Sequence, residues 1–226
     1  MFEDFWSSNV RDEEVEFMPM LSLNDDDDKN IDDEKNEMPI LPLRNTVLFP
    51  GVVIPITVGR DKSLLAVKEA AKNDKIIGVV AQKDAGTEDP EFEDLAAIGT
   101  AARIVKTLKM PDGSSTVIIQ GKRRFKVAEV LAEDPVMKAR VDWVEDIPAK
   151  NEKKFKALVG SVKDLASQII ELSPNIPSEA SIVLRNIDSP RFLLHFISSN
   201  LNLPLAEKQS ILEIDHLEKR ADKVLA

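Results

Sequence analysis

The sequence predicts an α+β fold with two lobes, a small, partly closed β-barrel followed by a lobe of four helices. Three observations predict it. Short apolar runs with period-two alternation recur up to residue 143, most cleanly where Met137, Ala139, Val141 and Trp143 alternate with Lys138, Arg140 and Asp142. At Asp146-Ile147-Pro148 the period changes, and Phe155, Leu158, Val159, Val162, Leu165, Ala166, Ile169 and Ile170 form a 3.6-residue stripe. Ahead of both lies an acidic leader that offers little to a core. These divide the chain into a leader (1–38), a β lobe (39–147) and a helical lobe (148–226).

The β lobe opens on residues 38–60, MPILPLRNTVLFPGVVIPITVGR, two apolar β-type runs (40–43 and 52–58) joined through Phe49-Pro50-Gly51. Pro39, Pro42, Pro50 and Pro55 cannot donate to a ladder, which places these strands at edges or at interruptions. Residues 60–73 read as a helix with Asp61 as N-cap and Leu64, Leu65, Val67, Ala70 and Ala71 on its apolar side. Residues 76–81 are a buried strand, and 83–93, with Gly86 and Pro90, a surface loop. Residues 98–110 and 115–120 flank Pro111-Asp112-Gly113 as a hairpin, and 124–131 supply a further strand. In the helical lobe, Ser173-Pro174 ends the long stripe, 177–187 form a second helix, and Asp188-Ser189-Pro190 is a stop followed by a new start. A last helix over 205–225 has Ile211, Ile214, Leu217, Ala221 and Val224 on one face; its pattern runs to Ala226 without a stop, as in a piece of something longer.

Residues 1–38 hold 14 acids against three bases, a net of −11 within a whole-chain net of −10, so the remainder is close to neutral. Residues 22–37 are a like-charge block for which disorder is the default. Phe2, Phe5, Trp6, Val10, Phe17, Met18, Met20 and Leu21 precede it, more apolar character than a spacer needs. No apolar run approaches the ~20 residues of a membrane span, and acids stand where a signal peptide needs bases. The chain has no cysteine, which excludes disulfides and thiolate chemistry. Its one Gly-Lys, Gly121-Lys122, is followed by Arg123, so there is no phosphate-binding loop. His195 sits among apolar residues and His216 on a helix, and neither reads as catalytic or metal-binding. We expect no catalytic, cofactor or metal site. Lys122, Arg123, Arg124 and Lys126, with Arg103, Lys106 and Lys109, could form a basic face for RNA, but no aromatic is interleaved for stacking. A solvated strand face is the plainer reading, and nucleic acid is not the expected partner.

An ordered series of motifs resembles the N-terminal domain of Lon, the ATP-dependent AAA+ serine protease. It comprises P-I-L-P-L-R-N-T-V-L-F-P-G and I-P-I-T-V-G-R-D-K-S in the opening stretch, I-I-G-V-V-A-Q-K-D at 76–84, G-T-A-A-R-I-V-K from Gly99, P-D-G at 111–113, Q-G-K-R-R-F from Gln120 and P-L-A-E-K-Q-S-I-L-E-I-D from Pro204. The resemblance implies a β lobe similar to PUA-type pseudo-barrels and a binding role for unfolded or damaged polypeptides. It also implies a cytoplasmic, hexameric parent whose ATPase (with ATP and Mg) and Ser-Lys protease modules lie outside this chain. The nearest match to the family's catalytic serine, Pro177-Ser178-Glu179, reads as a helix start.

The candidate substrate contacts are Leu48, Phe49 and Pro50, large apolar residues at a turn, with Leu201, Leu203 and Leu205 between two helices; the alternative is that Leu48 and Phe49 fold back onto the barrel. Two other readings stand beside this one, a stand-alone adaptor or small-ligand receptor of the same domain type and an RNA-binding barrel.

Overall fold

A computed structural model of the chain describes residues 36–111, 113–173 and 179–226. The leader up to residue 35, Asp112 of the hairpin turn, and Pro174, Pro177 and Ser178 lie outside the described residues. Six strands, β1 (Glu37–Leu43), β2 (Val53–Val58), β3 (Ile76–Ala81), β4 (Ile98–Lys109), β5 (Ser115–Ala132) and β6 (Lys138–Trp143), form one sheet in the order β2-β5-β4-β3-β1-β6. A further β5–β6 pairing closes most of it into a barrel and leaves β2 at the edge. The fold class is therefore the α+β arrangement expected.

The proline-rich strands are accommodated in two ways. Pro55 lies in the edge strand β2. β1 is internal but changes partner midway, running antiparallel to β6 over its first three residues, Glu37, Met38 and Pro39, and parallel to β3 from Ile40 to Leu43. The two strands expected at 115–120 and 124–131 are one, β5, 18 residues long. Its register against β4 jumps from Gly121 to Arg123, so Lys122 is the extra residue of a bulge. That bulge resets which side chains face inward, and both Lys122 and Arg124 become buried.

Helix α1 (Asp61–Lys72) packs across the barrel, with Arg60 rather than Asp61 at the N-cap position and no side-chain cap bond. Its buried face is Ser63, Ala66, Val67 and Ala70, so Leu65 and Ala71, expected inside, are exposed. Small residues line this face because α1 lies close against β1 and β3.

The helical lobe comprises α2 (Glu152–Leu172), α3 (Glu179–Arg185), α4 (Pro190–Asn200), α5 (Leu205–Glu213) and α6 (Leu217–Leu225). α2 is capped by Asn151, whose side-chain oxygen accepts from the Lys154 N–H at 3.0 Å, and α4 by Ser189, which accepts from the Phe192 N–H at 3.2 Å with Pro190 in its first turn. The final helix expected over 205–225 is two helices, broken at Ile214, Asp215 and His216. No glycine or proline marks that break; it is held from outside. Ile147, in the connection from β6, pairs in parallel with His216, its N–H donating to Asp215 O at 2.8 Å and its carbonyl accepting from Leu217 N–H at 3.1 Å.

Candidate polypeptide-binding surface

The opening turn is the joint between the lobes. Leu48 is 3% exposed and packs in the barrel core, whereas Phe49, fully buried, joins Val47 and Val52 in a second cluster with Leu184, Leu193, Leu194, Ile197 and Leu212 of the helices. Pro50 is buried too. Gly51 adopts φ 78°, where a Cβ would also lie 2.5 Å from the Phe192 ring. Gly121 faces the same segment, and a Cβ there would stand 2.3 Å from Phe49 O. The Thr100 hydroxyl donates to Leu48 O at 2.6 Å. The expectation of an exposed patch at Leu48, Phe49 and Pro50 is therefore corrected: close backbone approach at Gly121 turns these side chains into the two cores. Leu201, Leu203 and Leu205 are half-buried against the inter-lobe cluster and form no open patch either.

The expected basic face is dispersed as well. Arg124 turns into the lobe junction, donating to Leu212 O at 2.7 Å and Ile214 O at 3.1 Å and pairing with Asp146 at 2.6 Å. Asp146 also accepts from Arg220 at 2.7 Å and Arg191 at 3.0 Å. Arg220 additionally caps Ile214 O, so two guanidiniums satisfy the C-terminal carbonyls of α5 and hold the α5–α6 break in place. Burial, and then the Arg220 charge, push the Arg124 pKa down to about 10, with Asp146 opposing; it stays protonated at neutral pH. Arg123 pairs with Glu145 and lies 4.8 Å over the Trp143 ring. His195 is buried beside this cluster, Nε2 3.3 Å from Arg220 Nη1 and its ring 5.8 Å from Phe49. Burial and then the charges of Arg220, Arg124 and Arg191 lower its pKa well below the ordinary histidine value, so it is a neutral packing residue.

The described cleft between β1 and α1, lined by Pro42, Arg60, Lys62, Ser63 and Asp89, has room for about one water molecule. No group of three or more His, Cys, Asp or Glu among the described residues is placed to hold a metal, and no described helix is long and apolar enough to cross a membrane.

The apolar surface that stays open lies on the ribbon β2–β5–β4. Its inner face buries Ile56, Val58, Val117, Ile119 and Ile104. On β2 and β5 the residues of opposite parity face outward, and so do their partners on β4, because directly paired residues point the same way. Pro55 pairs with Ile118 and Ile118 with Lys106, then Thr57 with Thr116 and Thr116 with Leu108. Met110 follows at the end of β4, where its N–H donates to Ser114 O at 2.9 Å. Val105 is extruded by a second bulge, between Ile104 and Lys106. Leu108 is 42%, Met110 44% and Val105 47% exposed, Pro55 is exposed and Ile118 half-buried. Arg103 and Lys106 share this face, and Lys109, opposite the inward-facing Ser115, stands at its edge at the end of β4; all three are exposed. Sequence reasoning passed over this face, because Ile104, Leu108 and Met110 share one parity and only the bulge at Val105 turns the last two outward.

A second open apolar surface is the ridge Leu165, Ile169 and Leu172 on α2 with Ile182 on α3, 46%, 54%, 82% and 60% exposed. The stripe on α2, expected to pack throughout, buries only Val159 and Val162 fully. The ridge runs directly into residues 174–178, outside the described residues, whereas the ribbon face is built from paired strands.

Residues 37–226 match the family of the ATP-dependent protease La (LON) substrate-binding domain. The chain belongs to this family. It is 51% identical over 215 residues to the Lon protease of Flavobacterium johnsoniae, covering 95% of this chain and 26% of that protein. To the Lon protease of Cytophaga hutchinsonii it is 45% identical over 214 residues, 94% of this chain and 26% of the relative. The chain thus spans about a quarter of the length of the curated relatives it matches. Among solved structures, the N-terminal domain of a Mycobacterium avium complex Lon protease superposes with a TM-score of 0.69 at 20% identity, over 84% of this chain and 96% of that one. The Lon N-terminal domain protein from Xanthomonas campestris gives a TM-score of 0.59 at 22% identity, with the same coverage. These likenesses bear out the expected fold; in the Lon-type domain described here, the Leu48-Phe49-Pro50-Gly51 signature is buried, with Leu48 in the barrel core and Phe49 in the inter-lobe core.

Proposed function

We propose that this chain captures unfolded or damaged polypeptides for a Lon-type ATP-dependent protease, and that the outward face of the β2–β5–β4 ribbon makes the contact. The observation that carries the reading is an exposed apolar face on a hydrogen-bonded ribbon, in a chain that belongs to a substrate-binding domain family. Leu108, Met110, Val105 and Pro55 offer non-directional apolar contact, which suits segments of varied sequence, and the basic rim favours acidic flanks. Fully burying a large apolar side chain stabilises by about 1.5–3 kcal/mol, and less than half of Leu108, Met110 and Val105 remains exposed, so each of these contributes about 1 kcal/mol. Contact of that strength is weak and reversible, as handing a chain to a motor requires. In this proposal the ATPase, with ATP and Mg, and the serine protease are separate modules of a hexameric, cytoplasmic parent. The test is affinity for reduced, carboxymethylated α-lactalbumin: the double variant Leu108→Ser, Met110→Ser binds about 30-fold more weakly, corresponding to about 2 kcal/mol, with an unchanged melting temperature. Equal affinity in the two proteins contradicts the assignment.

A further inference from the structure

We propose that the chain carries its own competitor for this face: the acidic leader, residues 1–35, docks on the outward side of the β2–β5–β4 ribbon and yields to polypeptide. The inference rests on the ribbon being the contact surface and adds a regulator to it.

Charge is the first support. Residues 1–35 hold 13 acids against three bases, whereas residues 98–120 hold Arg103, Lys106 and Lys109 against one acid, Asp112. These three bases are exposed and form no ion pair among the described residues. The order of the leader is the second. Its acidic block, residues 25–34, stands nearest the barrel, and Phe2, Phe5, Trp6, Phe17, Met18, Met20 and Leu21 lie beyond it. Acids can thus meet the basic rim while apolar residues reach Leu108, Met110 and Val105.

Topology is the third. β1 is parallel to β3, and β3 is antiparallel to β4, with Ile40 level with Gly78 and Gly78 with Ala101. Walking backward along β1 from Ile40 therefore leads to the same end of the barrel as walking forward along β4 past Arg103 to Lys109. The leader departs at the end from which the hairpin projects. A chain of this length spans about 30 Å as a coil, and the six residues of β4 beyond Arg103 extend about 20 Å, so the tether reaches. The α2–α3 ridge has no such charge match: Arg185 pairs with Glu171, and Lys163 is bound to the carbonyls of Arg185 and Ile187.

The absence of cysteine permits a direct experiment on the full chain. A nitroxide is attached at Ser22→Cys and amide resonances are recorded in the oxidised and reduced label. The proposal expects selective broadening of Val105, Lys106, Leu108, Met110 and Ile118, lost when ionic strength is raised from about 0.05 to about 0.5 M and lost in Lys106→Glu, Lys109→Glu. Broadening centred on Leu165, Ile169 and Ile182, or none above the barrel, overturns it. This readout contains no polypeptide, so its failure is separable from failure of the binding assay. As a second measure, Asp25, Asp26, Asp27 and Asp28 are all changed to Asn. If the leader occupies the face two-thirds of the time, the carboxymethylated α-lactalbumin binds about threefold more tightly to this variant; unchanged affinity counts against competition.

Discussion

Replacing Phe49 by Ala removes a fully buried ring from the seam between the lobes. Core Phe→Ala changes cost about 3–5 kcal/mol, depending on how far the site can collapse. Here collapse is restricted: the Phe49 carbonyl rests against Gly121, Leu48 O accepts from Thr100, and Gly51 is packed under Phe192. The ring also loses its contact with His195 at 5.8 Å. A cost of about 4 kcal/mol follows, a large part of the ~5–15 kcal/mol available to a domain. For a domain of this size each kcal/mol lowers the melting temperature by about 2–4 °C, giving a fall of about 8–16 °C. Circular dichroism on heating, with urea titration as a check, reads it. A shift under about 2 °C accompanied by weakened polypeptide binding would refute the reasoning, because it would place Phe49 at a working surface instead of in the core.

Two further outcomes concern the junction behind that ring. Asp146→Ala leaves Arg124 and Arg220, whose side chains are 2% and 0% exposed, without their shared carboxylate; a loss of about 3–5 kcal/mol is expected in urea unfolding, and a loss below about 1 kcal/mol contradicts it. His195 is held neutral in the fold, while in the unfolded chain it takes up a proton near its ordinary value of about 6.5. Stability therefore falls as pH drops below about 6.5, by up to about 1.4 kcal/mol per pH unit from this group, and His195→Gln flattens that slope. Equal slopes in both proteins between about pH 6.5 and 5 contradict it.

Where local chemistry decided the structure, the sequence was legible. Alternation located β6, the Pro-Asp-Gly turn located the β4–β5 hairpin, and Ser189-Pro190 opened α4 where a capping side chain and a first-turn proline belong. The misreadings share a different cause, a long-range contact. Turn residues Leu48 and Phe49 point inward because Gly121, some seventy positions on, lets the backbone approach. The α5–α6 break has no breaker residue; Arg124 and Arg220 supply the capping from a strand and from the following helix. Arg124 left the basic face because of a bulge that periodicity does not reveal. The candidate surface was not legible, since Ile104, Leu108 and Met110 share one parity and only the bulge at Val105, seen in the register against β5, turns the last two outward.

The central claim, that polypeptide meets the ribbon face, is tested most directly by titrating carboxymethylated α-lactalbumin into the isotopically labelled chain and following amide shifts. The account predicts perturbations clustered at Val105, Lys106, Leu108, Met110, Thr116 and Ile118, with Phe49 and Leu201 unmoved. Shifts concentrated on Leu165, Ile169 and Ile182, with the ribbon silent, would contradict it.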